Sequence, residues 1–340
     1  MVTIASVVGL VLVLVTGLTL WGGGANLDPH RQLLPGITLD LRTTKTALGP
    51  VEYDLAGDHG PVVLSVQAGL GGADQARLFA DWLRPTGFRI LSPSRPGYLG
   101  TPLDSGRTFA QQADLLAALL DRLDIKTVGL FAPSAGAPVA YTFAARYPGR
   151  VWGLVAIDGQ SRAVPDSGSD SALQHFFTDK IAQKLAVLTA KASLSSVVAS
   201  TLDETSTFTA DQKKQRVDYI MGHPDAKALF QAMFATTFPY EKRMPGTRND
   251  EVQVRTMTLP LDRITTPALI IHGTRDGDVP FEDGVTAAAR IPGALHYWMS
   301  DDDHLGFWLS PHAAVAQGAV RDFLREHAPA PTRGGRARRV

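Results

Sequence analysis

Short apolar runs that alternate with stretches of helical periodicity are the feature that most restricts how this 340-residue chain can fold. The central apolar runs are residues 62–66, 88–91, 127–131 and 151–157. The stretches with apolar residues at helical spacing are residues 73–83, 109–123 and 135–147. Strands without a polar face must be buried on both sides, and intervening helices provide that cover. The pattern therefore predicts an α/β fold built on a mostly parallel sheet.

One long interruption divides the pattern. Residues 160–259 hold helical stretches but no run typical of a buried strand, so we expect a helical cap inserted into a core of residues 35–159 and 260–327. The cap helices are expected at residues 172–187, 210–221 and 225–235. The remaining core strands are expected at residues 37–44, 51–55, 268–271 and 294–299, and the last helices at residues 282–291 and 311–327.

The two ends of the chain differ from its centre. Residues 1–25 contain an uncharged run, residues 2–21, that as a helix would be about 30 Å long and could cross a bilayer. We expect a membrane anchor or a cleaved export signal with cleavage near Gly24–Ala25; burial of the run within the domain is the alternative. The side of the membrane stays open. Residues 328–340, rich in Pro, Gly and Arg, are expected to form a disordered basic tail.

Composition excludes several function classes. The 33 basic residues equal the 33 acidic ones, and four of the basic ones lie in the last eight positions, so the body is mildly acidic. Nucleic-acid binding requires a concentrated basic surface, and we therefore expect no nucleic-acid partner. The chain lacks cysteine, an HExxH motif and a GK[ST] loop, so neither a metal nor a cofactor is expected. No pattern indicates an oligomeric state.

The most specific motif is Ala-Pro-Ser-Ala-Gly at residues 132–136, between a predicted strand and a predicted helix. It matches the G-x-S-x-G nucleophile elbow except at its first position, where Ala132 is small enough to fit the tight turn. The elbow raises the Ser134 hydroxyl above the sheet edge. A serine that only caps the helix is the alternative.

A nucleophilic serine needs a base, and that base needs an orienting carboxylate. In hydrolases with this elbow the chain order is Ser, acid, His, and the sequence offers Asp276 directly after strand 268–271 and His304 on the loop after the last strand. Asp278 and Asp158, which also follow strands, remain alternative acids. The three aspartates before His304 are expected to favour its protonated form and to shift activity toward higher pH.

The glycine-rich loop of residues 67–72 is the candidate source of one oxyanion donor. The backbone N–H of Leu70, paired with that of Ala135, would stabilise negative charge on a tetrahedral intermediate. A phosphate-binding loop is the alternative, but the third glycine of a dinucleotide fingerprint is missing.

Together these motifs resemble the α/β-hydrolases of the bacterial esterase-like group, over residues 49–327. The resemblance rests on the elbow at Ser134, the loop at residues 69–72, Ser94-Arg95-Pro96-Gly97-Tyr98, His272-Gly273 with Asp276, and His304. It implies an eight-stranded, mostly parallel sheet, a cap inserted after the sixth strand, and cofactor-independent hydrolysis through an acyl-enzyme. Two positions depart from the family's pattern: Ala68 replaces a histidine and Ala132 a glycine, which affects both oxyanion donors. A serine nucleophile argues against dehalogenase or epoxide-hydrolase chemistry.

The expected function is hydrolysis of a carboxylic ester or related acyl bond in a small, apolar substrate, as in the carboxylesterases. Amide, lactone or carbon–carbon bond hydrolysis on the same residues is an alternative, and so is a catalytically silent protein that binds a small molecule or a partner. Aromatic residues of the cap segment could pack or bind substrate: Phe176, Phe177, Phe208, Phe230, Phe234, Phe238 and Tyr240.

Overall fold

The computed structural model of the protein describes residues 30–164 and 193–330. A hairpin, β1 (Gln32–Leu34) and β2 (Ile37–Thr38), precedes the main sheet. The strands of that sheet are β3 (Arg42–Thr46), β4 (Gly49–Ala56), β5 (Val62–Ser65), β6 (Arg89–Pro93), β7 (Val128–Pro133), β8 (Val151–Ile157), β9 (Ala268–Gly273) and β10 (Leu295–Met299).

The eight strands of the main sheet lie in the order β10-β9-β8-β7-β5-β6-β4-β3. Only β4 runs against the others, pairing antiparallel with both β3 and β6. The central strands β5, β7 and β8 are buried almost throughout, as their uninterrupted apolar sequences require. The mostly parallel eight-stranded sheet is therefore confirmed, and the carboxyl ends of its central strands meet at one edge.

Helices cover both faces of this sheet. The core helices are α1 (Ala73–Ala80), α2 (Phe109–Arg122) and α3 (Ala137–Arg146) before the insertion, and α8 (Phe281–Arg290), α9 (Gly306–Leu309) and α10 (Ala313–His327) after it. Helices α2, α3 and α8 contribute to one apolar cluster, and α1, α9 and α10 contribute to a second on the opposite face. Each face of the sheet is thus removed from water by its own set of helices.

The described part of the insertion is helical. It consists of α4 (Leu194–Thr205), α5 (Ala210–Gly222), α6 (Pro224–Ala235) and α7 (Met244–Arg255). Apolar side chains of α4, α5 and α6 extend the cluster that contains α1 and α9, so these helices pack on the core as a cap. Helices α4 and α7 were not predicted, because hydroxyl and charged side chains obscure their apolar spacing. The predicted helix 172–187, with Phe176 and Phe177, lies outside the described residues.

The sequence-based prediction of one strand at residues 37–44 is wrong. Ile37–Thr38 pairs with β1, whereas the edge strand of the main sheet begins only at Arg42. Between them the chain turns: Leu39 N–H donates to the Arg31 carbonyl, and Asp40 N–H donates to Asp54 Oδ1 at 2.7 Å. These two local hydrogen bonds outweigh the β propensity of the segment.

The predicted anchor or signal of residues 1–25 lies outside the described residues, and most of the predicted tail does also. Within residues 30–164 and 193–330, no helix is long and apolar enough to cross a bilayer.

Buried ion pairs fasten the cap to the core. Arg95, which follows β6, donates two hydrogen bonds to the Asp250 carboxylate of α7, with Nη2–Oδ2 at 2.6 Å. Arg243, between α6 and α7, binds Asp74 of α1, and both side chains are fully buried. Removing one member of such a pair leaves an uncompensated charge in the interior, which costs about 3–5 kcal/mol.

We therefore expect Arg95→Leu to lower the free energy of unfolding by about 3–5 kcal/mol, because Asp250 would lose its buried partner. Urea titration followed by circular dichroism measures the change. Arg107→Leu is the control: it removes the exposed pair with Asp104 and should change stability by less than about 1 kcal/mol. Equal effects of the two substitutions would contradict this account of the cap.

Candidate active site

Ser134 lies where β7 ends and the chain turns toward α3. Its φ of 50° is in the left-handed region, which a non-glycine residue occupies only when its surroundings impose it. The turn is also tight on its far side: a Cβ on Gly136 would lie 2.4 Å from the Val66 carbonyl oxygen. Ala132 is fully buried, so its small side chain fits the turn in place of glycine. The local geometry is that of a nucleophile elbow.

His304 and Asp276 come together from two loops at the same edge of the sheet. Asp276 follows β9, His304 precedes α9, and His304 Nδ1 lies 2.7 Å from Asp276 Oδ2. The other carboxylate oxygen of Asp276 accepts the backbone N–H groups of Asp278 and Val279, at 2.9 and 2.8 Å. Since Nδ1 donates to Asp276, the free lone pair of a neutral imidazole is on Nε2.

The electrostatics of this pair favour the ionised forms. Burial opposes protonation of His304, but the charges of Asp276 and Asp278 outweigh it and raise the pKa of the imidazole to about 10. Burial alone would raise the pKa of Asp276; His304 and His272 reverse the sign and lower it. The charges that surround the pair thus favour the carboxylate form of Asp276 and the protonated form of His304.

Asp278 occupies the other side of the imidazole. Its Oδ2 lies 3.3 Å from His304 Nε2, the atom that would take the serine proton. Among the described residues, Ser134 Oγ forms no hydrogen bond with this ring, although both side chains line one cavity. In this arrangement Asp278, and not Ser134, faces Nε2 of His304.

The alternative acids have different positions. Asp276 bonds Nδ1, Asp278 faces Nε2, and Asp158, after β8, accepts the Gly273 N–H at 2.8 Å. Burial, with a contribution from the Asp276 charge, raises the pKa of Asp158 to about 7. The orienting position on the imidazole belongs to Asp276.

His272 lies behind this pair and was not predicted as a site residue. Its Nε2 is 3.0 Å from the Val279 carbonyl and 3.4 Å from Asp276 Oδ2, the oxygen that His304 also contacts. The sequence signal for His272 was its position next to Gly273 at the end of β9. Asp158, His272 and Asp276 are close enough for their donor atoms to share a metal ion. They do not fit one, because Nε2 of His272 must carry a proton to bond the Val279 carbonyl.

The aspartates before His304 do not act on it as the sequence indicated. Asp302 and Asp303 are buried and bind Arg216 of α5, while Asp301 is exposed and pairs with Arg275. The charges that raise the pKa of the imidazole come from the Asp276 loop instead. The pKa of His304 is raised, as the sequence predicted, but by different carboxylates.

The loop after β5 lies beside the elbow. A Cβ on Gly69 would be 3.9 Å from the Ala135 Cβ, and Leu70 has a φ of 57°. Leu70 and Ala135, the predicted oxyanion donors, both line the cavity with Ser134. Ala68, at the position where the family's pattern has a histidine, also lines the cavity.

A cavity of about 630 Å³ connects these groups with the cap. One wall is apolar and includes Phe230, Met233, Phe234 and Trp308. Phe230 and Phe234 stack with their ring centroids 6.4 Å apart. Helix α4 lines the cavity mainly with hydroxyl groups, those of Ser196, Ser200, Thr201 and Thr205. Tyr240 also lines the cavity, whereas Phe208 packs under the guanidinium of Arg216.

Comparison with known proteins identifies the fold family of this chain. A family model described as the alpha/beta hydrolase fold matches residues 61–311. An alpha/beta hydrolase fold protein from Nakamurella multipartita is 33% identical, with a TM-score of 0.78, over 84% of this chain and 99% of that one. The chain belongs to the α/β-hydrolase fold family.

Two relatives carry functional names. An uncharacterized hydrolase of Bacillus subtilis is 27% identical over 81% of this chain and 95% of that protein. A 2-hydroxy-6-oxononadienedioate/2-hydroxy-6-oxononatrienedioate hydrolase of Cupriavidus pinatubonensis is 26% identical over 70% and 76%. Hydrolysis is the activity that these names share.

Asp278→Asn should lower the pKa of His304, because it removes the carboxylate beside Nε2. The Asp278 side chain is 57% exposed and solvent screens it, so we expect a shift of about one unit, the low end for a neighbouring charge. Titration of the His304 ring protons by NMR measures it. Asp301→Asn, which neutralises an exposed aspartate paired with Arg275, should leave the His304 pKa in place. Equal shifts in both variants would show that Asp278 does not control the base.

Proposed function

We propose that this protein is a serine hydrolase that cleaves a carboxylic ester or related acyl bond through an acyl-enzyme. The observation that carries the proposal is the elbow serine with a left-handed backbone, in one cavity with His304, whose Nδ1 bonds the buried Asp276 carboxylate. A strained serine, a base and an orienting carboxylate at one sheet edge are the parts that acyl transfer requires.

In the proposed reaction, Ser134 Oγ attacks the acyl carbon, and Nε2 of the neutral form of His304, which becomes more populated as the pH rises, takes the hydroxyl proton. Asp276 stabilises the resulting imidazolium through the hydrogen bond at Nδ1. The backbone N–H groups of Leu70 and Ala135 stabilise the oxyanion. The imidazolium then protonates the leaving alcohol, and a water molecule activated by the same base releases the acid.

The proposed substrate is small and has an apolar acyl group. The wall formed by Phe230, Met233, Phe234 and Trp308 would bury that group, and each buried methylene contributes about 0.8 kcal/mol. The hydroxyl-rich wall of α4 would face the more polar part of the substrate.

Carbon–carbon bond hydrolysis on the same residues is the second candidate. It is favoured by the relative from Cupriavidus pinatubonensis, which aligns with 70% of this chain. A serine, a base and an oxyanion site serve both reactions, so the two candidates differ in the substrate that the cavity accepts rather than in the catalytic groups.

Ser134→Ala should lower kcat for p-nitrophenyl butyrate by about 10⁴-fold or more, because the acyl-enzyme can no longer form. Ser200→Ala is the control, since Ser200 is exposed on α4 and lines the same cavity. It should retain the wild-type kcat within about threefold. A fluorophosphonate probe, detected by mass spectrometry, should label Ser134 in the wild type and in Ser200→Ala.

Complete inertness of the folded wild-type protein toward both probe and ester would contradict the proposal and support a silent binding protein. Probe labelling of Ser134 without ester turnover, together with cleavage of 2-hydroxy-6-oxononadienedioate, would support the second candidate.

A further inference from the structure

The cap is bonded to both loops that carry the acid and the base. The carbonyl of Thr205, the last residue of α4, accepts the N–H of Gly277 and the N–H of His304, each at 3.2 Å. The next residue, Ser206, forms a β-bridge with Asp276, and Thr207 N–H donates to the Arg275 carbonyl at 2.8 Å. One short cap segment, residues 205–207, thus spans the two catalytic loops.

This segment lies so close to the Asp276 loop that no side chain fits at position 277. A Cβ on Gly277 would be 2.7 Å from the carbonyl carbon of Ser206, well inside van der Waals contact. Gly277 is therefore needed for the close approach of cap and loop. The contact between cap and acid loop is a built feature of the fold.

A side chain of the cap extends this connection to the base loop. Arg216, on α5, donates Nη2–H to Asp302 Oδ1 at 2.5 Å, and its Nη1 bonds Asp303, the residue directly before His304. All three side chains are buried, with Arg216 7% exposed and both carboxylates at 0%. The Phe208 ring lies 5.3 Å from the guanidinium carbon.

Asp302 connects three parts of the site. Its carboxylate accepts from Arg216, from the Ser310 hydroxyl and from His312 at the start of α10. Its backbone carbonyl accepts the N–H of Arg275, the residue directly before Asp276. Arg216, from the cap, thus binds both carboxylates that precede His304.

We propose that Arg216 is a positioning residue for His304. It binds the two carboxylates that precede the histidine and thereby holds the imidazole over Asp276. The inference rests on the proposed function, because positioning matters only where His304 acts as a base. Arg216 is absent from the described lining of the cavity, so it acts through the loop and not on substrate.

The buried charges explain why a neutral side chain cannot replace Arg216. Without the guanidinium, two carboxylates in the interior lose their main counter-charge, and they must take up protons or move toward water. Burial already raises the pKa of Asp303 to about 6 even with Arg216 present. Movement of this loop by about 1 Å would misplace His304, and a displacement of that size costs about 10²-fold in rate.

The test compares Arg216→Met with Arg243→Met. Both substitutions remove a buried arginine that joins the cap to core carboxylates, but only Arg216 bonds the base loop. Arg216→Met should lower kcat for p-nitrophenyl butyrate by about 10²-fold with KM within about threefold, whereas Arg243→Met should destabilise the fold yet keep kcat within about threefold. Arg216→Lys, which keeps the charge, should recover part of kcat. Equal loss of kcat in the two Met variants would overturn the proposal.

A second measurement does not depend on activity. The proton on His304 Nδ1, held by Asp276, should give a far-downfield NMR resonance in the wild type and in Arg243→Met, and lose it in Arg216→Met. Retention of that resonance in Arg216→Met would overturn the positioning role even if the wild type hydrolyses no ester. If Arg216→Met does not fold, the triple variant Arg216→Met/Asp302→Asn/Asp303→Asn removes the orphaned charges. Loss of the downfield resonance in this variant would support the positioning role, and its retention would overturn it.

Discussion

The short hydrogen bond between His304 and Asp276 is the interaction on which the site depends. Both groups are buried, and the charge of each favours the ionised form of the other against the cost of burial. The backbone N–H groups of Asp278 and Val279 hold the carboxylate from one side and His272 holds it from another. The sheet contributes by bringing the ends of its parallel strands to one edge, where these loops meet.

Buried ion pairs around the site join the cap to the core. Arg95 with Asp250, Arg243 with Asp74, and Arg216 with Asp302 and Asp303 each join a core element to the cap. Burying so many charges is unfavourable unless each is matched, and matching fixes the partners in one arrangement. The cap therefore contributes apolar residues to the cavity and a buried counter-charge to the loop before His304.

The parallel sheet, the tight turn at Ser134 and the positions of Asp276 and His304 on loops after strands could be predicted from sequence, because each follows from a local pattern at a strand end. The catalytic roles of these three residues stay predictions. Contacts across the chain could not be predicted. Arg216 and Asp302 are 86 residues apart, and nothing in either segment indicates that they meet. The position of Asp278 at Nε2 also had no local signal, since it depends on how the turn after β9 folds around Asp276. Helices α4 and α7 were missed because their apolar faces are interrupted by polar residues that line the cavity.

The carbonyl of Thr205 has a consequence for the evolution and engineering of this fold. Because one oxygen satisfies N–H groups of both catalytic loops, deleting the inserted helices or exchanging them with those of a relative would leave two donors without an acceptor. The insertion of this protein is therefore not interchangeable with that of a relative. A chimera that keeps activity would have to inherit residues 205–216 together with the loops they contact.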